Sequence, residues 1–263
     1  MAKTGHGGTL DPSADGVLPI LVNGATRLAD FIHEWPKTYL ASVTFGAVSD
    51  TGDREGTITP SENPKTVSRE AIEGILPSFT GRIQQVPPMF SALKQGGEAL
   101  YRKARRGESI ERRPRPVEIH AIKLVDYDPG SMTARLEVRS GRGMYVRSLA
   151  QDVGAALGSG AYLSALTRLA VGPLTLDRSI PLKALIDMGD RWQLKLLPMD
   201  LPLHDWPAIT LKADEVDAVR HGQALVALTA TSGRYRMLDG DGRLVAWGEA
   251  LGGRVQPRAV FHE

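Results

Sequence analysis

Residues 132–138 alternate without a break: Met132, Ala134, Leu136 and Val138 point one way, Thr133, Arg135 and Glu137 the other. A period of two commits a segment to a strand with one dry face and one wet face. The pattern occurs again far upstream, where Tyr39, Ala41, Val43 and Phe45 share one face of residues 39–45, with Tyr39 near the strand's start. One-sided strands must bury their apolar faces against something, and helical patterns supply it. Ser68 can cap a helix that carries Ile72, Ile75, Leu76 and Phe79 on one stripe, with Glu70 in its first turn. Gly141 and Gly143 mark a turn, after which Val146, Leu149, Ala150, Val153, Ala156 and Leu157 share a helix face that Gly158 ends. Residues 117–125, rich in β-branched and aliphatic types, read as a further strand. The fold class is α+β: a mixed, largely antiparallel sheet with flanking helices.

The texture changes after about residue 178. Pro181, Pro198, Pro202 and Pro207 punctuate a stretch that reads as a helix plus linker. From Ala208 onward the segments are short. Tyr235–Leu238 and Arg243–Trp247 flank Asp239-Gly240-Asp241-Gly242 as the arms of a hairpin. The expected division is a main body over residues 1–178, a helix and linker over 179–207, and a small β-rich domain over 208–263.

Composition removes several chemistries. The chain has no cysteine, so disulfides, thiolate metal sites and cysteine nucleophiles are excluded. The six histidines are scattered without metal-ligand spacing, and the expectation is neither metal nor cofactor. The glycines at 5, 7 and 8 lack the Gly-Lys-Ser/Thr of a phosphate loop, and no Gly-x-Ser-x-Gly elbow occurs. Asp50-Thr51-Gly52 copies an aspartic-protease tripeptide once, where that chemistry needs two carboxylates; with Asp53 and Gly56 it reads as a polar hairpin turn. No apolar run is long enough for a membrane span, and the N-terminus lacks a signal-peptide core, so the expectation is a cytoplasmic protein without membrane contact. Charge is uneven. Residues 94–116 carry eight basic side chains against three acidic ones, a local +5 in a chain whose total is +2. That is the footprint of a phosphate-binding surface or of a solvated basic loop, and charge alone does not separate the two.

The richest stretch is Gly5-His6-Gly7-Gly8-Thr9-Leu10-Asp11-Pro12-Ser13-Ala14-Asp15-Gly16-Val17-Leu18-Pro19-Ile20. It is a glycine-rich loop that delivers one carboxylate, Asp11, stiffened by Pro12, with glycines that let a bulky ligand approach the backbone. An Asp-Pro turn, or Asp11 capping a helix, fits the same residues.

This stretch resembles the catalytic motif of the TruB-family pseudouridine synthases. The resemblance continues through Gly24–Arg27, Lys37-Thr38-Tyr39 and Pro87-Pro88-Met89-Phe90-Ser91-Ala92-Leu93-Lys94. It goes on through Gly96, Leu100-Tyr101, Ala104-Arg105 and Gly107, then Gly143–Leu149, Gly160-Ala161 and Leu166–Leu169, all in the family's order. It implies the pseudouridine synthase fold over residues 1–178, with 94–116 as an RNA-clamping insertion, and a PUA-like domain over 208–263. It also implies a further N-terminal segment with a Lys-Pro strand that this sequence lacks at its start. Ser13, Asp15 and Thr167 stand where the family usually has other residues.

The implied activity is conversion of a tRNA T-loop uridine, position 55 by the resemblance, to pseudouridine, without cofactor or metal. The partner would be the tRNA T-arm alone, bound by a monomer with no obligate protein partner. By the resemblance Asp11 acts on the flipped-out nucleotide, Arg147 keeps its carboxylate charged, and Tyr39 stacks on the base and takes part in deprotonation at C5. His6 would enter the RNA stack, Leu166 would wall the base pocket, and Tyr145 and Arg168 would support binding. Lys94, Arg102, Lys103, Arg105 and Arg106 would hold phosphates. The alternative is a non-catalytic tRNA-binding or folding module, disabled by the missing N-terminal strand.

Overall fold

The computed structural model describes residues 3–262 apart from residues 92, 109, 228 and 229, and gives the backbone alone at residues 94, 95, 99 and 105. The chain forms two compact units.

The larger unit takes in Gly8–Pro19 and Glu34–Ser179. Its centre is a seven-stranded sheet in the order Leu174–Thr175, Ala161–Val171, Lys37–Phe45, Thr133–Ser140, Arg115–Asp128 and Gly81–Gln85, with Ala14–Gly16 pairing beside Ala161–Val171. Every pairing is antiparallel except that last one, which is parallel. The alternation in the sequence becomes a dry face: Ala41, Val43, Phe45, Ala134, Leu136 and Val138 are buried in one cluster with Ile72, Leu149 and Val153 from two helices. The first of these, Arg69–Ile75, starts where Ser68 Oγ accepts the Ala71 N–H. The second, Val146–Ala156, lays its buried side chains against the sheet. Residues 50–57 turn between the short paired strands Ala47–Ser49 and Ile58–Pro60, the hairpin expected there.

The smaller unit gathers residues 3–7, Ile20–His33 and 180–262. Its five-stranded sheet runs in the order Ala208–Thr210, Gly233–Leu238, Leu244–Leu251, Arg254–Val260 and Leu225–Val226. The expected hairpin is its middle pair. Residues 20–33 belong here because of where their apolar side chains go. Thr4–His6 and Ile20–Val22 zip into a ribbon, and Leu28 and Phe31 then pack with Leu203, Leu244 and Phe261. Phe31, Trp206 and Trp247 meet edge to face, with ring centroids 5.2–5.7 Å apart. Packing thus interleaves segments that a reading along the sequence keeps apart. Among the described residues no helix is long and apolar enough to cross a membrane.

Candidate active site

Asp11 sits on a loop that the sheet holds from below. The Ala14 N–H donates to Asp11 O at 2.9 Å, closing a turn, and the chain enters Ala14–Gly16 as a short strand. Asp11 therefore caps no helix; the turn reading of Asp-Pro is the one realised. Ala14 lies opposite Leu166 and Gly16 opposite Arg168.

Arg168, expected to support binding, holds the loop in place. It is only 2% exposed. Its Nε donates to Val17 O at 2.7 Å, Nη2 to Gly8 O at 2.9 Å and Nη1 to Thr9 O at 3.2 Å. One guanidinium thus ties both ends of the Asp11 loop to the sheet through three loop carbonyls. The close approach depends on Gly16, at φ +106°, where a Cβ would stand 2.2 Å from Arg168 O. Gly16→Ala should therefore destabilise the protein by about 2 kcal/mol or more, lowering its melting temperature by roughly 4–8 °C. Calorimetry checks this, and an unchanged melting temperature would show that the loop does not depend on that contact.

The carboxylate meets its cation at the start of a helix. Arg147, on the first turn of Val146–Ala156, is 4% exposed and places Nε 2.9 Å from Asp11 Oδ2 and 3.6 Å from Asp53 Oδ2. At this nitrogen the contact is held by charge, without an aligned hydrogen bond. The other two nitrogens donate to Phe90 O at 2.8 Å and Thr51 O at 3.3 Å. Asp53 is fixed in turn, accepting from Thr51 Oγ1 at 2.6 Å and from the Glu55 N–H at 3.1 Å through Oδ1. The result is a carboxylate–guanidinium–carboxylate line with the outer carboxylate, Asp11, at 37% exposure and the inner one, Asp53, at 8%. Burial pushes the Asp11 carboxyl above its ordinary value of 3.8; the Arg147 charge draws it back, and Asp53 adds to the rise.

Two tyrosines flank this line. Tyr39, half-buried on the central strand, packs against the core and stands opposite Arg168 in register. Burial raises its hydroxyl, and the Arg168 charge opposes the shift. Tyr145, just ahead of the helix, is raised mainly by burial, with Ser91 and Arg147 pulling down. Leu166 is 8% exposed and part of the core cluster, so it is a core leucine that also borders the loop. His6 is exposed on the ribbon of the smaller unit, opposite Ile20.

The basic segment is less available than its charge count suggests. Arg106 is gripped by Glu98, at 2.6 and 2.9 Å, and by Glu108 at 2.6 Å. Two of the three opposing acids thus converge on one expected phosphate contact. Arg102 is exposed with its guanidinium 5.9 Å from the Tyr101 ring centroid, and Lys103 is partly exposed. The Lys94 and Arg105 side chains, and Ala92 of the Pro87–Lys94 motif, lie outside the described residues.

Sequence reasoning missed Asp53, reading it only as part of a turn. The turn is real, but its side chain faces Arg147. No signal local to the turn gives the direction of that carboxylate.

Comparison with known proteins identifies the family. Residues 1–146 match the family described as "TruB family pseudouridylate synthase (N terminal domain)", and residues 206–262 match "tRNA Pseudouridine synthase II, C terminal". The chain is 41% identical over 261 residues to the tRNA pseudouridine synthase B of Azoarcus sp. (strain BH72), covering 99% of this chain and 86% of that protein. It is 41% identical over 264 residues to the protein of the same name from Xanthomonas campestris pv. campestris (strain B100), covering 99% and 85%. Among solved structures it superposes on a chain of a Cbf5-Nop10-Gar1 complex with TM-score 0.71 and 26% identity, covering 99% of this chain and 77% of that one.

Proposed function

Because this chain belongs to the TruB family of pseudouridylate synthases, with the pseudouridine synthase fold and a PUA-like β domain at its C-terminus, we propose that it isomerises a uridine in the T-loop of tRNA, position 55, to pseudouridine. The observation that carries the reading is the partly open Asp11 carboxylate held beside the buried Arg147. The reaction breaks the N1–C1′ bond, turns the uracil and closes a C5–C1′ bond; C5 loses its proton to solvent and N1 gains one, so the composition is unchanged. What it needs from the protein is an ionised group beside the sugar of an extruded nucleotide and a surface to hold the freed base. Extrusion costs a few kcal/mol, repaid by contacts to the flipped nucleotide.

Asp11 is the acting group in this reading. Arg147 keeps it charged against the pull of burial. Tyr39 supplies the aromatic face for the uracil and takes part in removing the C5 proton. Tyr145 and Leu166 line the base pocket, and His6 enters the RNA stack. Lys94, Arg102, Lys103 and Arg105 make the phosphate contacts, and Arg106 joins them only where RNA displaces Glu98 or Glu108. The protein works as a monomer in the cytoplasm, on tRNA alone. No observation favours the alternative of a non-catalytic module.

The test is release of tritium from tRNA labelled at uridine C5, with the modified position mapped. Stoichiometric release from one T-loop uridine is expected. Tight tRNA binding with no release would overturn the reading.

A further inference from the structure

The helix that presents Arg147 starts without a side-chain cap of its own, since Tyr145 precedes it and its side chain caps no helix N–H. That backbone is gripped by a residue from another element. Gln85, the last residue of Gly81–Gln85, is 2% exposed. Its Oε1 accepts the Tyr145 N–H at 2.8 Å, and its Nε2 donates to Tyr145 O at 3.1 Å. A primary amide engaged at both ends in this way imitates a paired peptide group, so it fixes the position and the tilt of the backbone it holds. The next residues continue the grip. Val86 O accepts from Ser148 Oγ at 2.8 Å, and Phe90 O accepts from Arg147 Nη2 at 2.8 Å. Pro87 and Pro88 stiffen the run between them.

We infer that Gln85 is a positioning residue of the active site: its amide sets the start of the helix so that the Arg147 guanidinium spans Asp11 and Asp53. A buried amide satisfied at both ends would stabilise any fold, so stability alone does not reveal this role. The distinguishing consequence is electrostatic. If the helix start shifts, Arg147 and Tyr145 move with it, while the other groups facing Asp11 stay: Asp53 on its hairpin and Tyr39 on the central strand. The Asp11 carboxyl then loses part of the opposing charge of Arg147 and titrates at higher pH.

The inference rests on the proposed role of Asp11, so its test includes a measurement that needs no substrate. In the full-length protein the Asp11 carboxyl carbon is followed by NMR against pH in wild type and in Gln85→Met, the signal being assigned by its loss in Asp11→Asn. The expected result is an upward move of the Asp11 titration by about half a unit or more. Alongside it, the single-turnover rate should fall roughly 10- to 100-fold, since small misplacements at a reacting centre cost this much, with tRNA affinity within about twofold. A lower melting temperature with an unchanged titration and rate would overturn the inference and leave Gln85 a structural residue. Should the Met variant fail to fold, Gln85→Asn, whose amide is one methylene too short to close both bonds, is read in the same way. Inert wild-type protein would overturn the proposed function alone, because the titration still reports on Gln85.

Discussion

Asp11→Asn is expected to stop tritium release while leaving tRNA affinity and thermal stability close to wild type. The substitution keeps shape and volume and removes one charge. Turnover should fall by about 10³-fold or more, the loss of roughly 4 kcal/mol of transition-state stabilisation, because among the described residues no other carboxylate is placed to substitute. Asp53, the nearest, is 8% exposed and committed to Thr51, Glu55 and Arg147. The fold should tolerate the change, since Arg147 keeps Asp53 and two carbonyl partners. Linkage fixes the sign of the stability effect. The folded-state Asp11 carboxyl lies above its ordinary value, so above that value the folded state binds more protons than the unfolded state. Ionised Asp11 thus costs stability at neutral pH, and its neutral replacement should leave the melting temperature unchanged or slightly raised. Lost turnover in a protein of equal or greater stability marks a group kept for chemistry. Wild-type turnover by the Asn variant would remove Asp11 from the mechanism.

How much of this was legible in advance depended on the kind of signal. Period-two alternation located the strands around Ala41 and Leu136 because burial on one face is written into a single segment. The Asp11–Arg147 pairing was legible only through the family resemblance, since nothing local to either residue points to the other. Asp53 shows where sequence reasoning stops. Its turn is a local property and was read correctly, whereas the direction of its carboxylate depends on how the hairpin lies against a helix start far along the chain. Arg168 was illegible for a related reason: its contacts with Gly8, Thr9 and Val17 carbonyls form only once the loop has folded over it. Residues 20–33 went with the C-terminal segments because Leu28 and Phe31 found apolar partners there, a choice made by packing.

Arg147 is the residue whose loss should be felt most widely, and comparing two substitutions separates its contributions. Arg147→Met removes the cation between two carboxylates and orphans Thr51 O and Phe90 O. Taking one partner from a buried ion pair typically costs about 3–5 kcal/mol, so the Met variant should melt roughly 6–20 °C lower. Without the guanidinium, burial and Asp53 both push Asp11 toward its neutral form, and turnover should fall at least as far as in Asp11→Asn. Arg147→Lys restores a positive charge and part of the stability. A single ammonium cannot reach two carboxylates and two carbonyls from one position as a planar fork does, so Asp11 should remain poorly held. The Lys variant should therefore recover most of the melting temperature yet remain about 10²-fold slow, with the acid limb of its pH–rate profile above that of wild type. Full activity in Arg147→Lys would mean that charge alone suffices and that the geometry of the carboxylate–guanidinium–carboxylate line is incidental.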